Sequence, residues 1–324
     1  MRLVRLRCST TTISLSLTVL RCFSSSANAA ILLSARGDVY SPHYGLDPAM
    51  GLPRLPSGQS LQLKTCHTSG ILGASLWPAA APLCHHLLQH RDELQLHEKR
   101  CMELGAGTGA VGLFAAALGC PSVVLTDCRP LPDAAMYTTD TGNSHLDAVL
   151  PSEGSDAILQ LLKENVKLNR NLFVHNNVPR VMELDWTNSS HLQHVLQSLQ
   201  QPTGPHTSSS TKDGFDLILC SDVTHFSAMH QPLASTIKGL LGKTGACLLS
   251  HQERLLDKNG RDKPLEDFVT AAQETGLEVE RMAVDPNHDD VDNGGPVVAM
   301  LQIRRGKNNG IGSARATTTG LFLP

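Results

Sequence analysis

One stretch constrains the fold more than any other. Arg100-Cys101-Met102-Glu103-Leu104 reads as a short apolar strand that runs into Gly105-Ala106-Gly107-Thr108-Gly109. Ala110 to Leu118 reads as a helix ended by Gly119, and Ser122 to Thr126 as a second strand that stops at Asp127. A strand, a glycine turn, a helix and a second strand close as a crossover unit with parallel strands. Gly105-x-Gly107-x-x-Ala110 satisfies the dinucleotide-type fingerprint. Its glycines turn the chain tightly and let a ligand approach the main chain. A carboxylate at the end of the next strand can accept both hydroxyl hydrogens of a ribose, which is the place of Asp127. The unit points to an adenosine-containing cofactor; its competitor is a glycine-rich turn beside a solvated aspartate.

The pattern continues downstream. Ile158 to Leu168 carries apolar residues at helical spacing, and Val178 to Leu184 reads as a third strand ending at Asp185-Trp186. Phe215 to Cys220 is a fourth strand ending at Ser221-Asp222, and Thr244 to Ser250 a fifth. A helix around Leu265 to Thr275 precedes a late strand pair, Leu277 to Val284 and Val297 to Ile303. Strands alternating with helices predict an α/β fold with a doubly wound, mostly parallel sheet. No helix pattern separates the last two strands, so the final one is expected to return antiparallel at one end of the sheet. Asp133 to Asp156 and Gln201 to Gly214 read as inserted surface loops.

Composition sets the boundaries. Hydrophobic residues make up 41% of 324, enough for a sizeable core, while aromatics are only 4%. The net charge of −3, from 27 basic and 30 acidic residues, argues against a nucleic-acid partner held by bulk electrostatics. No apolar run reaches the ~18 residues of a spanning helix, so no membrane partner is expected. Nine cysteines without a Cys-x-x-Cys pair read as free thiols of a reducing compartment. Residues 1–37 hold five arginines and no acid, so the remainder of the chain carries −8. Their Arg- and Ser-rich composition reads as a mitochondrial or plastid transit peptide, with a secretory signal or a disordered extension as competitors and a cytoplasmic location otherwise. Residues 38–98 form a lead-in, 99–305 the α/β domain and 306–324 a disordered tail.

Other nucleotide chemistries lack their residues. The only tyrosines are Tyr40, Tyr44 and Tyr137, and none has a lysine four positions on, as a short-chain dehydrogenase would need. No Gly-Lys-Ser/Thr follows the glycines, so a P-loop is absent.

With these residues in view, the chain resembles the seven-strand, S-adenosylmethionine-dependent protein-lysine methyltransferases of the methyltransferase-like 21 type, methyltransferase family 16. Four motifs carry the likeness: Gly73 to Ala80 around Trp77, Glu103 to Gly109 with Asp127, Leu184-Asp185-Trp186, and Cys220-Ser221-Asp222-Val223. Asn165 to Asn169 matches the family's second helix. The resemblance implies a Rossmann-like class I methyltransferase sheet with an antiparallel last strand, and S-adenosyl-L-methionine as cofactor. It implies that Trp77 borders the cofactor's methionine end, that Glu103, Gly105, Ala106 and Gly107 lie along it, and that Asp127 binds its ribose. Trp186 would lie against the adenine with Asp185 near its amino edge, and Ser221 would line the wall beside the sulfonium. A core role is the alternative for either tryptophan.

The departure follows the fourth strand. The family has an acid and, three residues later, Tyr or Phe; here Asp222 is followed by His225, with Phe226 one further on. Asp222 and His225 are the candidate catalytic residues, and whether His225 or Phe226 fills the aromatic place stays open, as does a solvated His225 without a role. His86 and His90 share a helix face, but one such pair is not a metal site. The expected reaction is methyl transfer to a lysine of a protein substrate. Another acceptor, such as a protein histidine or a small molecule, and an inactive cofactor-binding scaffold are the alternatives.

Overall fold

The computed structural model describes residues 51–65, 72–128, 156–174, 177–199, 214–254, 256–283 and 297–306, with the short strands Leu32–Leu33 and Val39–Ser41. The transit-peptide reading, most of both inserted loops and all but Gly306 of the tail lie outside the described residues.

Strands β1 (Leu32–Leu33), β2 (Val39–Ser41) and β3 (Leu63–Thr65) form a small antiparallel sheet that the sequence reading did not anticipate. Helix α1 (Ala80–Gln89) leads to β4 (Arg100–Leu104), α2 (Ala110–Ala117) and β5 (Ser122–Asp127). Then follow α3 (Ala157–Leu168), β6 (Arg180–Glu183), α4 (Ser189–Ser198), β7 (Phe215–Ser221), α5 (His230–Leu240), β8 (Leu241–Gln252), α6 (Lys263–Glu274), β9 (Leu277–Met282) and β10 (Val298–Arg305). The seven-stranded sheet has the order β6-β5-β4-β7-β8-β10-β9. Neighbours from β6 to β8 are parallel, and β10 is antiparallel to both β8 and β9. The last strand is therefore reversed as expected, but it lies between β8 and β9 rather than at the end of the sheet. Its six pairings with β8 and six with β9 use both of its edges, and the apolar alternation Met300, Leu301, Ile303 suits a strand buried on both faces.

Successive strand residues alternate between two cores. Cys101, Val123, Leu125, Leu217, Leu219 and Leu248 pack under α1, α2 and α3. Met102, Leu104, Val124, Ile218, Cys220 and Leu249 pack under α4, α5 and α6. The parallel run of β4, β5, β6, β7 and β8 places their carboxyl ends on one edge of the sheet, where ligands of open α/β sheets bind. Among the described residues no helix is long and apolar enough to cross a membrane.

Two asparagines tie the lead-in to this frame. On α3, Asn169 accepts from the Gln62 amide at 2.8 Å and donates to its carbonyl at 2.7 Å. One turn earlier Asn165 does the same to Lys64, at 2.7 and 3.0 Å. Residues at i and i+4 of a helix share a face, and residues 62 and 64 share one edge of an extended segment. The two amide side chains thus act as a strand that the helix supplies. Asn165 Nδ2 also donates to the Thr108 carbonyl at 2.9 Å, so the same residue braces the glycine loop.

Candidate functional site

The glycine loop is built as the sequence requires. Gly105, Gly107 and Gly109 have φ of +62°, +53° and +80°. A Cβ on Gly107 would lie 2.6 Å from the Gly73 carbonyl oxygen, and one on Gly105 2.8 Å from Val223 Cγ1 and 3.4 Å from the Trp186 ring. Three of the predicted motifs therefore converge on the loop: the segment leading to Trp77, the Asp185-Trp186 turn, and the chain after β7.

Asp127, at the end of β5, accepts from the Gly107 amide at 2.7 Å with Oδ2 and from the Cys128 amide at 2.8 Å with Oδ1. Burial raises its pKa to about 6 against the pull of these amides. Each oxygen uses one lone pair there and keeps another for a ribose hydroxyl. Asp185 Oδ1 accepts from the Thr187 amide and hydroxyl, at 2.8 and 2.7 Å, which closes the turn into α4. Trp186 packs against the core under α4 to α6 while its ring edge borders Gly105.

Glu103 is a correction. Its place in the alternation puts the side chain on the α2 side of the sheet, 2% exposed, where Oε2 accepts from the Gly112 amide at 2.8 Å. Burial pushes its pKa up to about 8, opposed by amide hydrogen bonds from Gly112 and Val111 and reinforced by the charge of Asp127. The carboxyl anchors the first turns of α2 instead of lying along the crevice.

At the end of β7 the Ser221 hydroxyl is buried without a hydrogen-bond partner, as is that of Ser250, its register partner on β8. Asp222 then takes φ +58°, a left-handed conformation uncommon outside glycine but most accessible to Asp and Asn. Its amide donates to the Ser250 carbonyl at 2.8 Å, and its side chain is fully buried. Arg254 grips that carboxylate with both terminal nitrogens, Nη1 to Oδ1 at 3.0 Å and Nη2 to Oδ2 at 2.5 Å. The Gln252 amide adds a bond to Oδ1 at 3.2 Å. Burial alone would raise the carboxyl's pKa; His225 and Arg254 outweigh it and hold the group well below the usual carboxylate range.

His225 lies beside this pair. Its Nε2 is 3.5 Å from Asp222 Oδ1, and its Nδ1 is 3.3 Å from Arg254 Nη1. Its ring centroid is 6.3 Å from that of Trp77, and the Arg254 guanidinium lies over the Trp77 ring at 5.5 Å. Phe226 packs edge-on against His225. His225 thus lies beside both Asp222 and Trp77, with Phe226 against its edge.

Behind it stands a group of residues that the sequence reading missed. His251 on β8 accepts at Nδ1 from the Thr224 hydroxyl at 2.7 Å and donates from Nε2 to Asp262 at 3.1 Å. Asp262 caps α6 through the Leu265 amide and accepts from the Arg254 amide at 2.7 Å. Asp222, His225 and His251 offer three ligand atoms within 4.8 Å of one another. Those atoms already have hydrogen-bond partners: Arg254 and Gln252 at Asp222, Thr224 at His251. Arg254 lies just past β8, and only the pairing of β8 with β7 brings it to Asp222.

The crevice fits an adenosyl cofactor on three observations: spare acceptor capacity on Asp127, an orphaned hydroxyl on Ser221, and glycines where any side chain would collide. Comparison with known proteins agrees. The chain is 28% identical over 201 residues to a calmodulin-lysine N-methyltransferase of Arabidopsis thaliana, 62% of this chain and 50% of that one. It is 26% identical over 206 residues to the protein-lysine methyltransferase METTL21E of Mus musculus, 63% and 65% of the two chains. It is 25% identical over 245 residues to the protein N-terminal and lysine N-methyltransferase EFM7 of Candida glabrata, 74% and 78%. The match thus spans half to two thirds of the first two relatives. Residues 57–153 and 148–274 match the family described as lysine methyltransferase, and the chain belongs to that family.

Proposed function

We propose that the protein transfers a methyl group from S-adenosyl-L-methionine to a lysine side chain of a protein substrate. One observation carries the reading. Val223 stands against Gly105, so the ion-paired Asp222 and the glycine loop share one crevice at the carboxyl edge of the sheet. Gly105, Ala106 and Gly107 would run beneath the cofactor, with Asp127 at its ribose, Asp185 and Trp186 at its base, and Ser221 and Trp77 at its methionine end. Bound there, the cofactor supplies an electrophilic methyl, whose transfer forms a C–N bond and leaves the S–C electron pair on sulfur.

The chain's own residues align the acceptor. A free carboxylate would stabilise the protonated lysine, which cannot attack. Asp222 is not free, because the guanidinium of Arg254 balances its charge. The pair can therefore orient an N–H without holding the amine in its charged form. Trp77 adds an aromatic wall that accepts a cation or a neutral amine.

Incubating the purified protein and radiolabelled cofactor with a lysate of cells lacking it tests the reading. The expected result is a labelled polypeptide whose modified residue is methyl-lysine by mass spectrometry. Label confined to histidine or to small molecules, or no transfer at all, would overturn it. The acid-free first 37 residues further support import into a mitochondrion or plastid. A fluorescent fusion of that segment that stays diffuse in the cytosol would reject this.

A further inference from the structure

We propose that His225 is the proton acceptor for the incoming lysine, using its Nδ1 atom. The inference rests on the methyl-transfer reading above and adds to it where the acceptor's proton goes.

The surroundings of the ring fix its tautomer. Nε2 faces the Asp222 carboxylate, which can only accept, so the ring hydrogen belongs on Nε2. Nδ1 faces the Arg254 guanidinium, which can only donate, so Nδ1 carries the lone pair. The reverse tautomer would set a lone pair against a carboxylate and a hydrogen against a cation.

That lone pair is under-satisfied. Arg254 Nη1 has two hydrogens and three acceptors in reach: Asp222 Oδ1 at 3.0 Å, the Gln252 carbonyl at 3.1 Å and His225 Nδ1 at 3.3 Å. The longest of the three is the histidine. A further donor entering the crevice finds Nδ1 ready, and Arg254 can yield it without losing Asp222 or Gln252. An ammonium placed there would have the Trp77 ring beside it and the Asp222 carboxylate behind the imidazole. The charged and titratable groups facing the ring are Asp222 after β7, Arg254 after β8 and, at 5.9 Å between centroids, His251. His251 is itself committed to Thr224 and Asp262, so it does not compete for the proton.

The step balances simply. An N–H of the lysine ammonium transfers its proton to Nδ1, leaving the amine lone pair for the methyl and an imidazolium paired with Asp222. The His225 side chain is 25% exposed, so the imidazolium returns its proton to water. His251, 2% exposed, has no such outlet.

Two measurements test this. Long-range ¹H–¹⁵N spectra of the labelled protein, with His225→Gln identifying the resonance, should show neutral His225 protonated at Nε2; protonation at Nδ1 would overturn the inference without any turnover. The second is the initial rate of labelling of the lysate polypeptide at limiting acceptor, from pH 7.5 to 9.5. The wild type should change less with pH than the variant, because His225 can take the proton within the site. His225→Gln should be slower at pH 7.5 and climb more steeply with pH, because it reacts only with amine already free. His225→Phe should show the same climb. Parallel profiles for wild type and variants would mean that the ring only positions, and would overturn the assignment. A wild type that labels nothing would sink the methyl-transfer reading itself. S-adenosylhomocysteine binding and thermal unfolding of each variant separate these outcomes from misfolding.

Discussion

Glu103 makes the stability of this protein depend on pH in the unusual direction. Its carboxyl sits 2% exposed between β4 and α2, and burial raises its pKa from 4.5 to about 8. A folded-state pKa above the unfolded one means that the native state binds the proton more tightly. The stabilisation is then complete below pH ~4.5 and is lost as pH rises through about 8. Between those limits one proton is taken up on folding, so stability falls by ~1.4 kcal/mol per pH unit. Over the whole window that sums to about 5 kcal/mol, comparable with the entire margin of a small domain. Glu103→Gln keeps the oxygen that accepts from Gly112 and cannot ionise. Urea unfolding at pH 5.5 and 7.5 should show the wild type losing roughly 3 kcal/mol more than the variant across that interval. The surface carboxylates are common to both proteins and cancel in the comparison. Equal pH slopes would mean that the amides of α2 hold Glu103 ionised in the native state, and would refute the reasoning.

Three further predictions concern the site and its supports. Asn165→Ala removes three hydrogen bonds, two of them to the main chain of Lys64; urea unfolding should show a loss of ~2–4 kcal/mol, and a loss under about 1 would mean that β3 is held otherwise. Gly107→Ala forces a Cβ to 2.6 Å from the Gly73 carbonyl at a positive φ; calorimetry should show S-adenosylhomocysteine affinity down by about tenfold or more, and unaltered affinity would show that the loop shifts at no cost to the site. Asp222→Asn breaks the grip of Arg254, and methyl transfer should fall by ~10²-fold with cofactor affinity nearly constant; wild-type labelling of the lysate polypeptide would remove Asp222 from the acceptor site.

The fold was legible where one residue's surroundings are local. The glycine loop, the acid after β5 and the apolar strands declare themselves through spacing and periodicity. Even the role of Glu103 was readable, since a residue between Met102 and Leu104 on a buried strand must face the opposite core. Helix α4 was missed although Asn188 caps it and Leu192, Val195 and Leu196 repeat at helical spacing; its single buried stripe sits in an otherwise polar segment. Strand β3 was not legible, because three residues give no periodicity and one of its edges is held by side chains about 100 positions away on α3. Arg254 and His251 were hidden for a related reason. Each lies at the end of β8, and only the parallel register of β8 with β7 brings them to Asp222.

That register also explains how a left-handed aspartate is tolerated at a strand end. The conformation costs on the order of 1–3 kcal/mol, and a carboxylate turned inward loses water as well. Arg254 answers both terms, since it returns a charge partner and fixes the side chain in two directions. Arg254 is in turn held by Gln252 and, through its own amide, by Asp262, the cap of α6. Asp222 is thus positioned by β8 and α6 as much as by the strand that carries it. A substitution at Asp262 should therefore disturb the Asp222–Arg254 pair, and with it His225.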